Sequence, residues 1–170
     1  MKNLFTAVIA SIVFISGSAG AANYIYPAVC DKSYSKQGEQ SDDLTKINGR
    51  PVKCDSVLLS IQKNGNIMIQ ILERNSKLTP LGFAGPGFDF EMNPNFATLP
   101  LERIYLPHAS NPGTSQVVNG IEGFCFIDGR LNVKVLSGMN CTSKMEIGTQ
   151  KLIYNISVRI TGVGKLVPGS

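Results

Sequence analysis

Few side chains in this sequence are of the kinds that catalyse reactions. His108 is the only histidine in 170 residues, so any serine–histidine or cysteine–histidine mechanism depends on it. It lies in a Leu-Pro-His-Ala-Ser stretch that is typical of a loop, and no Gly-x-Ser-x-Gly motif accompanies it. A lone loop histidine is usually a solvated surface residue, so the sequence predicts no catalytic residue.

Asp89 and Glu91 are the two carboxylates best spaced for hydrolysis. Their i, i+2 spacing directs both to one face of an extended segment, and glycosidases use two carboxyls about 5 to 9.5 Å apart. Many surface pairs share this spacing, and the sequence has no tryptophan on which a sugar could stack. An extracytoplasmic hydrolase that uses Asp89 and Glu91, or His108, is kept as an alternative hypothesis.

The first 21 residues have the pattern of a secretory signal peptide. Lys2 gives a basic start, residues 4–15 are almost all apolar, and Ala-Gly-Ala at 19–21 fits a cleavage site. The apolar run is shorter than the roughly 20 residues that span a bilayer, although a retained anchor is the alternative. We expect residues 22–170 to form one domain, periplasmic or secreted and of bacterial origin, with no membrane span.

Four cysteines remain after the predicted cleavage, namely Cys30, Cys54, Cys125 and Cys141. An even number in an exported chain indicates disulfides, and pairing of sequence neighbours predicts Cys30–Cys54 and Cys125–Cys141 among three possible connectivities. No Cys-x-x-Cys pair is present and the single histidine is distant in sequence, so we predict no metal site and no cofactor. Oxidised cysteines would also be unable to act as nucleophiles.

Apolar and polar residues alternate with period two wherever a pattern is clear, which is typical of antiparallel strands. The best example is residues 152–160, and shorter strands are predicted at 24–29, 103–106, 116–118 and 144–147. Seven or eight short strands with frequent turns, and no convincing helix, predict a mostly β fold. We expect a single-domain antiparallel β-barrel or sandwich.

An Asn-Gly-Asn motif at residues 64–66 indicates a hairpin. A three-residue loop there would pair Ile61 with Ile69. Cross-strand partners share a face, so this loop keeps the isoleucines of both strands on the same side.

An Asp-Gly pair at residues 128–129 predicts a second hairpin with a two-residue turn. That turn would place Phe126 opposite Leu131 and Phe124 opposite Val133, so the apolar faces agree. Cys125 would then point to the face opposite the two phenylalanines.

Residues 78–113 form a predicted long central loop that is rich in proline and glycine. Six of the nine prolines lie in it, and proline cannot donate to a ladder, so it cannot be central sheet throughout. One interpretation is that its phenylalanines close the open end of the barrel. The other is that residues 82–95 form an aromatic contact surface, with Phe83, Phe88 and Phe90 as the predicted binding residues.

The formal net charge is +4, and the basic residues are scattered singly, so the sequence does not indicate nucleic-acid binding. A β scaffold with an aromatic loop and few catalytic groups predicts a small non-enzymatic binding protein. Its partner would be a protein or a cell-envelope component. A third hypothesis is a subunit of a cell-surface or secretion assembly that exchanges strands, which needs a long unpaired edge strand.

Overall fold

The computed structural model describes residues 22–31, 41–43, 46–47, 50–51, 54–74, 76–77, 79–88, 96–108, 110–111, 113–130, 135–147 and 150–167. The predicted signal peptide, residues 1–21, lies outside them. The regular elements of the described ranges are all strands: β1 (Ala22–Asp31), β2 (Ser41–Asp43), β3 (Lys46–Ile47), β4 (Arg50–Pro51), β5 (Ser56–Ile61), β6 (Ile67–Leu72), β7 (Leu81–Gly85), β8 (Phe96–Pro100), β9 (Arg103–Pro107), β10 (Ser115–Asn119), β11 (Glu122–Arg130), β12 (Val135–Ile147), β13 (Gln150–Ile160) and β14 (Lys165–Val167). In these ranges no helix has the length and apolar character needed to cross a membrane.

Twelve of the strands form one sheet. Ten of them follow the order β10-β9-β7-β6-β5-β1-β13-β12-β11-β8, and each neighbouring pair is antiparallel. β14 pairs with β1, β2 lies parallel to β13, and β3 and β4 form a separate small sheet. The predicted mostly β, antiparallel fold class is therefore confirmed.

The two ends of the strand order are connected, because each end strand continues along the chain into the strand that is second from the other end. Only Leu101 and Glu102 separate β8 from β9, and only residues 120–121 separate β10 from β11. The Leu101 N–H donates to the Gly123 carbonyl and the Glu102 N–H donates to the Ala84 carbonyl, each over 2.9 Å. The sheet consequently curls into an antiparallel half-barrel.

The interior of the curled sheet is filled by alternate side chains from the strands. On β6, Ile67, Ile69 and Ile71 are all buried while the residues between them are half-buried. The two largest fully buried side chains are Tyr26 and Phe83. Burying a side chain of this kind stabilises the fold by about 1.5–3 kcal/mol, so the inner face is the main source of stability.

The first hairpin closes over a three-residue loop, as predicted, but one residue earlier, at residues 63–65. Ile61 pairs with Ile67, so its predicted pairing with Ile69 is wrong by two positions. Gly65 has φ 86°, the left-handed conformation that glycine adopts without steric cost. Because the shift is an even number of residues, the isoleucines keep the inner face.

The second predicted turn is wrong. Asp128 and Gly129 lie inside β11, where the register with β12 shifts between them. Phe126 pairs with Asn140 and not with Leu131. The Asp-Gly sequence forms an irregularity within the strand, and β11 continues to Arg130.

Both predicted disulfides are confirmed. Cys30 and Cys54 are bonded with their Cα atoms 5.1 Å apart, and Cys125 and Cys141 with theirs 3.9 Å apart. Cys125 and Cys141 are directly opposite in the β11–β12 register, and both are buried. A turn at residues 128–129 would have placed Cys125 opposite residue 132, whereas the observed register places it opposite Cys141.

Three strands, β7, β8 and β9, lie inside the segment predicted as a central loop, and only the strand at residues 103–106 was predicted there. β7 and β8 both contribute buried side chains to the core. A Cβ on Gly85 would collide with the Pro100 carbonyl oxygen, so glycine is what lets β7 approach the end of β8. Pro100 and Pro107 are the last residues of their strands, where a missing N–H costs little.

Tyr26 makes the stability sensitive to alkaline pH. Burial, with a smaller contribution from Tyr24, raises the pKa of the Tyr26 phenol from 10.0 to about 12. The folded pKa lies above the unfolded one, so this stabilisation is complete below pH 10 and is lost as the pH rises towards 12. We expect the free energy of unfolding to fall by about 3 kcal/mol more in wild type than in Tyr26→Phe across that interval, measured by urea denaturation. Equal pH profiles for the two proteins would contradict this assignment.

Candidate binding site

The register of β11 decides which of its side chains face outward. Cys125 and Ile127 are buried on the inner face, so the alternate residues Phe124 and Phe126 point away from the core. Phe124 is 46% exposed and Phe126 is half-buried. Phe96 on the neighbouring strand β8 is also half-buried. We call these three phenylalanines the outer aromatic face.

Two of the three rings pack on one another. The centroids of Phe96 and Phe126 lie 5.0 Å apart with an interplanar angle of 29°. Phe126 is opposite Thr98 and Phe96 is opposite Asp128, so the two rings are diagonal neighbours across β8 and β11. Stacked aromatic pairs contribute about 0.5–1.5 kcal/mol beyond their buried area, which holds these rings in a fixed arrangement.

Uncharged polar side chains border the rings on the β12 side. Asn140 pairs with Phe126 and Thr142 pairs with Phe124. The Thr142 hydroxyl donates a 2.6 Å hydrogen bond to Oδ1 of Asn155 on β13. This bond leaves the amide NH₂ of Asn155 as a donor beside the outer aromatic face.

Phe83, one of the three predicted binding residues, does not lie at the surface. Phe83 lies on β7 with no exposed area, at the centre of the core. Phe88 is half-buried and packs against the same core, and Phe90 lies outside the described residues. The alternation of Phe124 and Phe126 with a disulfide-bonded cysteine is the sequence signal that would have pointed to the outer aromatic face instead.

His108 and Ser110 form a contact within one turn. The Ser110 hydroxyl lies 3.0 Å from Nδ1 of His108, and the Ser110 N–H donates to the same nitrogen over 3.3 Å. Both side chains are exposed, and the described residues include no third group that orients the imidazole. This contact stabilises the turn between β9 and β10.

The described residues provide no arrangement of side chains that supports the carboxylate hydrolase or the metal site. Asp89 and Glu91 lie outside the described residues. Across the part of the chain that is described, no group of three or more histidine, cysteine or acidic side chains could hold a metal ion. All four cysteines are in disulfides, and disulfide-bonded cysteines are not nucleophiles.

A second surface feature is an open groove of about 510 Å³ on the outside of β1, β5 and β6. Ile25, Pro27 and Leu72 give it an apolar lining. Two acidic and two basic side chains also line it: Asp55, Glu73, Arg74 and Lys165. Because the charges are of mixed sign, the groove does not select an anion or a cation.

The sequence matches no protein-family profile, and neither the sequence nor the fold is similar to a curated protein or a solved structure. The function is therefore argued from the geometry of this chain alone.

Proposed function

We propose that this chain is an exported, non-enzymatic binding protein that contacts its partner through the outer aromatic face. The observation that carries the proposal is the gathering of Phe96, Phe124 and Phe126 outside a sheet whose interior is already packed. Exposed clusters of apolar side chains commonly mark interaction sites. Aromatic side chains also supply a large share of the binding energy at interfaces.

The two disulfides support an extracytoplasmic location. Disulfides form and persist in oxidising compartments and are rare in the cytosol. With the signal-peptide pattern of residues 1–21, they favour export across the membrane of a bacterial cell and maturation at residue 22. The mature protein would then act in the periplasm or outside the cell.

The partner is a protein or a cell-envelope component. The amide and hydroxyl groups on the β12 side are uncharged, and Asp128 lies opposite Phe96 on the same face, so the face suits a neutral or basic surface better than a phosphate backbone. Phe88 and Phe90 remain predicted contact residues of the central segment. Phe83 is no longer proposed as a contact residue, because its side chain lies in the core and has no exposed area.

The alternative functions are a hydrolase and a subunit that exchanges strands. The hydrolase hypothesis needs a catalytic group in a concave site, whereas His108 is exposed in a turn. The strand-exchange hypothesis needs a long unpaired edge strand, and residues 152–160 do not provide it, because β13 pairs with β12 on one side and with β1 and β2 on the other.

Replacing Phe124 by serine should weaken partner binding at least about fivefold, because truncating an aromatic contact residue at the centre of an interface costs more than about 1 kcal/mol. The mature wild-type protein, Phe124→Ser and Val163→Ser would each be immobilised and exposed to envelope and soluble fractions of the producing cells. Val163 is 61% exposed and lies outside the face, so Val163→Ser is the matched control. Retention of the same partner by Phe124→Ser, or equal loss by Val163→Ser, would count against the proposal.

A further inference from the structure

β10 has an open edge. Among the described residues it pairs only with β9, and it stands at one end of the strand order. The pairing of β11 with β12 begins at Glu122 and Lys144, so it does not reach back to β10. Four of the five β10 residues are exposed, and Val117 is 45% exposed. Val118 alone is half-buried and packs against the core.

This edge lacks the usual protection against pairing with another strand. Proteins normally guard an edge strand with charged side chains, proline or a bulge, because its unpaired N–H and C=O groups can bind a further strand. Residues 109–121 contain no ionisable side chain, and the proline in this stretch precedes β10 in the sequence. Within the described residues, the edge is therefore unpaired and carries no charge of its own.

The edge is also held in a fixed conformation. In the turn that precedes β10, the His108 N–H donates to the Thr114 carbonyl and the Thr114 N–H donates to the Asn111 carbonyl, each over 2.9 Å. The Thr79 hydroxyl donates to the same Thr114 carbonyl over 3.2 Å. A preorganised strand loses little conformational entropy when it pairs, which favours association.

We propose that β10 pairs antiparallel with β10 of a second copy of this chain, about a two-fold axis at Val117. Two identical edges meet in this way in an isologous dimer. Ser115 then faces Asn119 of the partner subunit, and Gln116 faces Val118 of the partner subunit. No like charges are opposed, and the two exposed Val117 side chains come together at the axis.

The dimer would carry two copies of the outer aromatic face. The three phenylalanines of the outer aromatic face lie on β8 and β11, and none of them belongs to β10. The residues of the face are therefore not part of the paired β10 strands. A bivalent protein binds a repetitive surface more tightly than either site alone. This consequence, but not the pairing itself, rests on the proposed function.

Sedimentation equilibrium of the full mature protein tests the pairing. A five-residue edge makes a small interface, so the concentrations should run from about 10 µM to about 1 mM. We expect wild type to show a monomer–dimer equilibrium and Val117→Lys to weaken it at least tenfold, because two ammonium groups would meet at the axis. Val163→Lys adds the same charge elsewhere and should dimerise like wild type.

A cysteine variant that crosslinks the two subunits detects the pairing directly and does not depend on whether Val117→Lys folds. Val117→Cys should form an interchain disulfide under mild oxidation, whereas Val163→Cys should not. A wild-type protein that stays monomeric at the highest concentration, or equal weakening by Val117→Lys and Val163→Lys, would overturn the pairing. Phe124→Ser should dimerise normally, so failure of the binding proposal and failure of the dimer give different results.

Discussion

Replacing Phe83 by alanine will destabilise the protein by about 3–5 kcal/mol, whereas replacing Phe124 by alanine will cost less than about 1 kcal/mol. Phe83 has no exposed area and lies in the core, so truncation leaves a cavity that the surrounding strands cannot fully close. Phe124 is 46% exposed on the outer face, and its truncation removes surface that water already contacts. Urea unfolding of the two variants at neutral pH gives both values.

The pair of variants separates a core role from a contact role. The two substitutions make the same chemical change, so a difference in stability reports the position alone. The fraction of Phe83→Ala that is folded should bind the partner as wild type does, so any loss of binding should match the unfolded fraction. Phe124→Ala should stay folded and lose its partner. Equal stability losses, or a folded Phe83→Ala with lost binding, would contradict the placement of Phe83 in the core.

Removing the Cys125–Cys141 disulfide will cost more stability than removing Cys30–Cys54. Chain entropy alone predicts about 3 kcal/mol for each bond, and slightly more for the longer separation of 24 residues than for 16. Cys125 and Cys141 are both buried in the sheet interior, however, so their replacement also removes core packing. Urea unfolding of Cys125→Ala/Cys141→Ala and Cys30→Ala/Cys54→Ala measures the two costs.

The test depends on which of the two double variants loses more free energy of unfolding. We expect a loss of about 3–5 kcal/mol for the buried pair and about 2–4 kcal/mol for the half-buried pair. A larger loss for Cys30→Ala/Cys54→Ala would show that loop closure dominates and that the Cys125–Cys141 site contributes little packing.

The strand content of this fold could be predicted from period-two alternation. The predicted strand at residues 152–160 lies within β13, and Ile156 and Val158 are buried on the predicted inner face. The disulfide connectivity was also predictable, because short loops favour pairing of sequence neighbours. These features depend on local patterns that the sequence displays directly.

The register of β11 and β12 could not be read from turn residues. Phe124 and Phe126 are apolar, so a turn at residues 128–129 that buries them is locally reasonable. Cys125 and Cys141 lie opposite one another, and a symmetric turn between them would fall near residue 133. Combining the disulfide with the strand pattern would have selected the observed register, in which the phenylalanines face outward.

The role of the central segment depended on contacts distant in sequence. Its prolines and glycines indicated a loop, but Gly85 allows β7 to approach Pro100, and Phe83 is buried as a result. Phe96 and Phe126 are 30 residues apart and meet only because β8 pairs with β11. No local pattern encodes that neighbourhood, so the outer aromatic face was not predictable from single segments.

The central claim, binding through the outer aromatic face, is tested most directly by photo-crosslinking in the producing cells. A photoreactive phenylalanine analogue would replace Phe124 in one strain and Val163 in another, and the adducts would be identified by mass spectrometry. We predict a single discrete adduct from position 124 and none from position 163. The absence of an adduct at position 124, or the same adducts from both positions, would contradict the claim.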